Sequence, residues 1–286
     1  MTVPLTFGVV TEQQHWSWEE NVEQWRIGEE LGFDSIWIND HFHSLGDSID
    51  NDAFEASTTL AALAMHTTKP KIGVLTYGNT HRIPTILAKE MVTIDHMSGG
   101  RVIFGIGTGW NEPEHAAYSI PFPSAGTRVE MLDEALEIIR MLEQSDRTNY
   151  AGKHYTLVDT PFVPKPVNGR LPILIGGKRP KMLRLIGKHA DIWDSSLEPD
   201  EYKAALVMIR QHAAEFGRDP ESITGSASIW RGPVNDKDFA DRARAYYAAG
   251  VRQMLITHDE HRTGIDQIPH LMESVVPELR AELGGA

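Results

Sequence analysis

The sequence predicts an α/β protein, a (β/α)8 TIM barrel with an insertion before its fifth strand. Three observations predict it. The chain has 286 residues, close to the roughly 250 that one such barrel uses. Strand-like and helix-like segments alternate from end to end, giving eight pairs where a doubly wound sheet needs fewer. The run "RVIFGIG" (101–107) is apolar without alternation, the pattern of a strand covered on both faces in a parallel sheet.

Each element has its own justification. "LTFGVV" (5–10) reads as the first strand, and "SWEENVEQWRIGEELG" (17–32) as its helix, with Ser17 and Glu20 spaced as a capping box and Gly32 placed to end it. "SIWI" (35–38) is the second strand and "ASTTLAALAMH" (56–66) its helix. "KIGVLTY" (71–77) is the third, followed by "PTILAKEMVTIDHMSGG" (84–100), with Pro84 in the first turn and Gly99 and Gly100 closing it. The fourth strand (101–107) precedes "TRVEMLDEALEIIRMLEQS" (127–145). There Thr127 and Glu130 read as another capping box, and Val129, Leu132, Leu136 and Ile139 share one face.

The irregular stretch 146–171 contains "YAGKHYTL", with the alternation and central glycine of a hairpin; it reads as an insertion. "PILIGG" (172–177) is the fifth strand, with helix 180–190, and "DIWDSS" (191–196) the sixth, with helix 200–217. "SITGSASIW" (222–230) is the seventh, with helix 236–250, and "RQMLIT" (252–257) the eighth, with a final helix near 264–282. No linker or low-complexity tract divides the chain, so residues 1–286 are expected to form a single domain. Trp37, Met91, Met97 and Phe104 are expected in the core.

A formal net charge of −13 argues against nucleic acid or an anionic membrane as partner, though backbone N–H groups can still cradle an anion locally. The absence of cysteine excludes disulfides and thiolate chemistry. The N-terminus lacks the pattern of a signal peptide and no 18-residue apolar run occurs, so a soluble, cytoplasmic protein is expected.

In a barrel the site lies at the C-terminal ends of the strands. Asp40, His41 and His43 follow the second strand and "TYGNTHR" (76–82) the third. "GTGWNEPEH" (107–115) follows the fourth, "GGKRP" (176–180) the fifth, and His258, Asp259 and His261 the eighth. His41 and His43 have a metal-binding spacing, but the first strand ends in "VVTEQQHW" and the fifth in Gly-Gly-Lys. The further ligands of a metallohydrolase are missing there, and no metal is expected. Gly107, Gly109, Gly176 and Gly177 lie at the ends of two neighbouring strands, the second pair leading into a helix, and together suit a phosphate cradle. Ordinary turn chemistry accounts for "TYGNTHRIP". Trp110 and Trp193, near strand ends, are candidates to shape a flat pocket.

"GFDSIWINDHF", "GVLTYGNTHRIPTILAKEMVTIDHMSGGRVIFGIGTGWNEPEH" and "PILIGGKRPKMLRLIGKHADIWD" together resemble the luciferase-like monooxygenase family, and within it the branch that uses the deazaflavin coenzyme F420. The resemblance runs in register to about residue 195. It implies an α/β barrel that holds FMN or F420 with the ring in its mouth. Asp40 and His41 would then face the ring as the catalytic residues, with His41 the acid/base or substrate-polarising group. Leu75, Thr76, Tyr77, Gly78 and Asn79 would carry a non-prolyl cis peptide that supports the back of the ring. Gly107, Thr108 and Gly109, with Gly176, Gly177 and Lys178, would contact the phosphate.

One departure stands out. Several deazaflavin-dependent dehydrogenases place a carboxylate directly after the fourth-strand glycines, where this chain has Trp110 and Asn111, with Glu112 and Glu114 further on. The resemblance implies an oxidoreductase transferring a hydride between F420 and a small organic substrate, at a C=C, C=N or alcohol/carbonyl group. Its rivals are an FMN-dependent monooxygenase using O2 and reduced flavin from a partner reductase, and a non-catalytic flavin or deazaflavin binder. A homodimer is implied by family likeness alone.

Overall fold

In a computed structural model, which describes residues 4–45, 48–230, 235–257 and 266–284, the apolar runs become the staves of a closed parallel barrel. The first half comprises β1 (Thr6–Val10), α1 (Trp18–Glu30), β2 (Ser35–Ile38), α2 (Ala56–His66), β3 (Lys71–Val74), β4 (Tyr77–Gly78), α3 (Pro84–Ser98) and β5 (Val102–Gly107). Next come α4 (Glu112–Ala117), α5 (Ala125–Gln144), the antiparallel pair β6 (Arg147–Ala151) and β7 (Thr156–Pro161), β8 (Ile173–Gly176) and α6 (Pro180–His189). β9 (Ile192–Asp194), α7 (Pro199–Glu215), β10 (Thr224–Trp230), α8 (Asp236–Ala248) and β11 (Val251–Thr257) follow. A last helical stretch holds α9 (Gln267–His270), a π turn at Leu271–Val275 and α10 (Val276–Leu283).

The strand order is β3-β2-β1-β11-β10-β9-β8-β5-β4. Pairing of Ile72 and Gly73 of β3 with Val102 and Ile103 of β5 closes the ring. With β4 continuing the β3 stave along β5, through Tyr77 opposite Ile106 and Gly78 opposite Gly107, the barrel has eight staves. These strands read as unbroken apolar runs because both faces are covered. Outward residues such as Ile36, Ile38, Ile72 and Phe104 pack under the helices. Inward ones, Val10, Trp37, Ile103, Leu174 and Leu255, fill the barrel.

Trp37 sets the shape of that interior. Its indole N–H donates to Ser35 Oγ at 2.8 Å, and the neighbouring staves make room for it with glycine. A Cβ added at Gly73 would lie 2.6 Å from the Trp37 ring and 2.7 Å from the Ile103 carbonyl oxygen.

The caps explain several helix ends. Ser17 and Glu20 form the expected capping box, Pro84 opens α3, and Gly99 closes it in the left-handed conformation at φ 69°. Four expectations need correction. α5 begins at Ala125, because Ser124 accepts from the Thr127 N–H and so takes the cap expected of Thr127. The third stave, expected unbroken over 71–77, is interrupted between β3 and β4 at a cis Leu75–Thr76 peptide, which falls in the segment where the family resemblance implies one. Met97 is 42% exposed on α3, outside the core that holds Trp37, Met91 and Phe104. α4 was not expected; Asn111 caps it with Pro113 in its first turn.

The 146–171 insertion forms the hairpin β6–β7 with a wider span than "YAGKHYTL" suggested. Glu134 of α5 clamps its turn by accepting from the N–H groups of Lys153, His154 and Tyr155. Among the described residues no helix is long and apolar enough to cross a membrane.

Gly73→Ala is expected to destabilise the fold by about 1–3 kcal/mol, the usual range for overpacking a core. Neither the Trp37 ring nor the Ile103 backbone can swing away. Denaturant unfolding of the variant beside wild type measures it.

Candidate active site

At the C-terminal mouth of the barrel lies a cavity of about 300 Å³, lined by Asp40 and His41 after β2, Leu75, Thr76 and Gly78 around β4, and the β5 turn. Gly107, Thr108, Gly109, Trp110, Asn111 and Glu114 come from that turn, and Gly176 from the end of β8. The volume lies at the small end of the roughly 300–1,000 Å³ typical of small-molecule sites. Why these segments meet follows from register: β5 pairs with β8 from Phe104–Ile173 to Ile106–Ile175, so their terminal glycines are neighbours. Thr76 stands between the two glycine turns. A Cβ on Gly107 would approach its Oγ1 to 2.9 Å, and one on Gly176 its Cγ2 to 3.7 Å.

Asp40 is almost fully buried, and its carboxylate is occupied. Oδ2 accepts from the Gly78 N–H at 2.9 Å and from His81 Nδ1–H at 2.9 Å. Arg82 Nη1 donates to Oδ1 at 2.8 Å and to Oδ2 at 3.1 Å. Burial alone would raise the Asp40 pKa, but the His81 hydrogen bond and the Arg82 charge outweigh it and hold the carboxyl below its ordinary value. Arg82 also pairs with Glu55, whose carboxylate caps α2, and lies over the Tyr77 ring at 5.1 Å.

The neighbouring residue, His41, is in a different situation. Its Nδ1–H donates to Glu114 Oε2 at 3.0 Å, and the Phe42 N–H donates to Glu114 Oε1 at 2.6 Å. Glu114 has no exposed side-chain surface. Burial works against its charge, and the bonds from His41 and Phe42 prevail, leaving its pKa below the usual carboxylate value. The Trp110 ring, 67% exposed at the cavity rim, meets the His41 ring edge-on with centroids 5.7 Å apart. His81 faces the same cavity; its Nε2 is buried without a hydrogen-bond partner and lies 3.9 Å from Glu114 Oε2.

α4 holds Glu114 in place. His115 is buried and locks this short helix: Nδ1–H donates to the Asn111 carbonyl at 2.6 Å, and the Thr80 hydroxyl donates to Nε2 at 2.7 Å. Burial pushes the His115 pKa down, consistent with a neutral ring. The Tyr118 hydroxyl donates to the Phe42 carbonyl at 2.8 Å, tying the end of α4 back to the β2 loop.

The site residues expected from the sequence are therefore divided. Asp40, His41, Leu75, Thr76, Gly78, Gly107, Thr108, Gly109 and Gly176 line the cavity. Tyr77 does not; it is fully buried toward α2, with its hydroxyl 3.3 Å from Ser57 Oγ. Asn79 is turned toward the hairpin, donating to the Tyr155 hydroxyl at 3.2 Å. Gly177 and Lys178 lie outside the lining, at the approach to α6.

Trp193, a candidate wall, is instead wholly buried and donates to the Gly177 carbonyl. His43 Nδ1–H donates to the Ser44 carbonyl. His258, Asp259 and His261 lie outside the described residues. Three Asp, Glu and His groups at metal-ligand spacing, Asp133, Glu137 and His189, lie apart from this lining, and Lys188 pairs with both acids.

Glu114, His81 and Arg82 were not among the residues expected to form the site. A signal for Glu114 was present: Asn111 followed by Pro113 marks a helix start, which places the glutamate one turn in.

The fold and the site agree with a match of residues 3–270 to the family model described as luciferase-like monooxygenase. The chain belongs to that family. It is 31% identical over 214 residues to an F420-dependent glucose-6-phosphate dehydrogenase of Microbacterium testaceum, covering 72% of this chain and 62% of the relative's length. It is 27% identical over 266 residues to a 5,10-methylenetetrahydromethanopterin reductase of Methanolobus tindarius, covering 91% of this chain and 73% of that one. Among solved structures, an F420-dependent secondary alcohol dehydrogenase in complex with an F420-acetone adduct superposes with a TM-score of 0.87 at 20% identity, over 96% of this chain and 99% of that one. A long-chain alkane monooxygenase superposes at 0.81 with 15% identity, over 99% and 92%.

Asp40 and Glu114 both have folded-state pKa values below their ordinary 3.8 and 4.5. The stability each contributes is complete above those values and is lost as pH falls below them toward the folded-state pKa. The melting temperature is therefore expected to drop on acidification through that range. Asp40→Asn is expected to cost about 3–5 kcal/mol at neutral pH by leaving Arg82 and His81 without their anion, and to flatten that acid limb. Thermal melts from pH 6 to pH 3, at steps of about 0.5 unit, measure both.

Proposed function

We propose that this protein is an F420-dependent oxidoreductase acting on a small organic substrate, reversibly, at an alcohol/carbonyl, imine or activated C=C group. One observation carries the reading: an imidazole, His41, faces a glycine-walled cavity at the barrel mouth while a buried carboxylate engages its other side. The first two relatives described above carry F420 or reductase chemistry in their names, which supports the cofactor and the reaction type.

The residues present fit a flat ring system with a phosphate-bearing tail. Gly78, Gly107, Gly109 and Gly176 leave the wall free of side chains. Gly109 sits at φ 72°, a conformation that L side chains avoid, and a Cβ there would run into Thr80 Oγ1. The cis Leu75–Thr76 peptide lies in this wall. The buried, unpartnered Nε2 of His81 offers a polar contact to whatever occupies the cavity. The phosphate would be held by the Gly107–Gly109 and Gly176–Lys178 turns, the latter leading into the N-terminus of α6, whose cap residue Arg179 makes no side-chain capping bond.

The deazaflavin, when bound, supplies two-electron hydride chemistry. What remains for the protein is position and protons. His41 takes the proton from a substrate hydroxyl in the oxidative direction and returns it in the reductive one. Asp40, expected beside His41 as a catalytic residue, has both oxygens committed to donors and is assigned instead the anchoring of the β2 and β4 turns. Trp110 offers a flat apolar face beside His41, favouring substrates with an apolar or aromatic part. On family likeness we extend the proposal to a homodimer and a separate reductase for the cofactor, and on the sequence pattern to a cytoplasmic location.

Titration of the purified protein with oxidised F420 and, in parallel, with FMN, followed by ligand fluorescence, tests the cofactor. F420 is expected to bind at micromolar concentration and FMN much more weakly. A preference for FMN replaces the reading with an oxygen-using monooxygenase, and binding of neither overturns it. His41→Gln is expected to retain F420 binding and to lose about 10²–10⁴-fold in turnover, the usual worth of a general acid–base group. Stopped-flow reduction of F420 by a panel of small alcohols measures it.

A further inference from the structure

The geometry points to Glu114 as the positioning residue that decides which nitrogen of His41 carries its proton, and so which nitrogen meets the substrate. The inference rests on the reading of His41 as the proton-handling group. It concerns a carboxylate outside the place, directly after the glycine turn, where several deazaflavin-dependent dehydrogenases carry theirs and where this chain has Trp110.

An ionised carboxylate only accepts. Glu114 Oε1 takes the Phe42 N–H at 2.6 Å, and Oε2 lies 3.0 Å from His41 Nδ1. The proton of a neutral His41 must therefore sit on Nδ1, which leaves Nε2 as a bare acceptor. Among the described residues no hydrogen bond occupies that Nε2, and the ring lines the cavity. Its side chain keeps 13% exposure, whereas Glu114 keeps none.

The other groups facing the pair do not compete for its bonds. His81 Nε2 stands 3.9 Å from Glu114 Oε2, beyond a hydrogen bond, and its Nδ1 is committed to Asp40. The Trp110 ring meets His41 edge-on.

In the oxidative direction the step balances as follows. The substrate O–H bond breaks and its proton forms an N–H bond at His41 Nε2. The carbon-bound hydrogen departs with both electrons of its bond to the hydride acceptor, and the carbonyl forms. The imidazolium produced lies against the Glu114 carboxylate, which is already charged and already desolvated, so little reorganisation accompanies the transfer. Reduction is the reverse, with Nε2–H as the donor.

Glu114→Gln separates this role from packing, because the geometry dictates how the amide must sit. The Phe42 N–H needs an acceptor, so the amide oxygen takes the place of Oε1. The NH2 group then occupies the place of Oε2 and donates into Nδ1. The His41 proton is forced onto Nε2, and the cavity is offered a donor where it had an acceptor. The comparable inversion at a serine-protease aspartate lowers kcat by about 10⁴ with the geometry intact.

The test reads nitrogen directly, in the cofactor-free protein. Two-bond ¹⁵N–¹H correlation spectra of histidine-labelled protein in the alkaline range report which ring nitrogen is protonated, and a His41→Gln spectrum identifies the His41 signals. Wild type is expected to show Nδ1–H, and Glu114→Gln to show Nε2–H. With F420 bound, alcohol oxidation by Glu114→Gln is expected to fall about 10³-fold or more, with cofactor affinity unchanged within about threefold.

A wild-type signal from Nε2–H, or an Nδ1–H signal that survives in Glu114→Gln, overturns the inference. Should Glu114→Gln not fold, the wild-type spectrum still decides it. Failure of F420 to bind would overturn the functional reading and leave the nitrogen spectra to judge Glu114 by themselves.

Discussion

The buried carboxylate of Asp40 is the constraint on which the mouth of the barrel depends. It ends the second stave, and its donors all come from the turn after the third: the Gly78 N–H, the His81 imidazole and the Arg82 guanidinium. A carboxylate so deeply buried is tolerable only with such company, since desolvation of an unpaired charge costs several kcal/mol. The company in turn fixes the backbone around it. Arg82 carries the connection onward to Glu55 and the start of α2, so one ionised group joins two staves and a helix. His41 is the next residue along the chain, and its place in the cavity follows from where Asp40 is held.

Around this anchor the site is built from two carboxylate–imidazole pairs with different duties. Asp40 and His81 are saturated on the side that faces the scaffold, with Arg82 balancing their charge. Glu114 and His41 form the second pair, braced from behind by the Phe42 backbone and by a short helix that His115 pins to Thr80. Glu114 Oε2 and His81 Nε2 are separated by 3.9 Å, so the two pairs share one electrostatic environment. The glycines supply what side chains cannot, a bare backbone wall along β4, β5 and β8.

The barrel was legible in the sequence because its evidence is local and repeated. Unbroken apolar runs, the Ser17–Glu20 box, Pro84 and Gly99 each report on their own few residues, and eight such units leave little choice of architecture. The glycine turns were legible for the same reason. What escaped reading was pairing across the chain. Nothing in "TYGNTHR" announces that His81 and Arg82 bond to a carboxylate some forty positions earlier, or that Tyr77 turns away toward α2. Met97 has the same helical context as Met91 and yet lies exposed, because position on a helix circumference depends on what covers it. Glu114 was visible as a residue and hidden as a partner, since its 72-residue separation from Phe42 leaves no trace in spacing.

The turn after β5 places opposite tasks on adjacent positions. Trp110 points outward at the rim, while Glu114, four residues on, is sealed beneath His41. Variation at position 110 can therefore change the surface a substrate meets without disturbing the buried pair or the helix that holds it, because the helix cap begins only at Asn111. A lineage built on this scaffold can vary the rim of the cavity through one outward residue while the buried carboxylate–imidazole pair stays inherited. The same separation makes position 110 the natural starting point for directed evolution of the pocket.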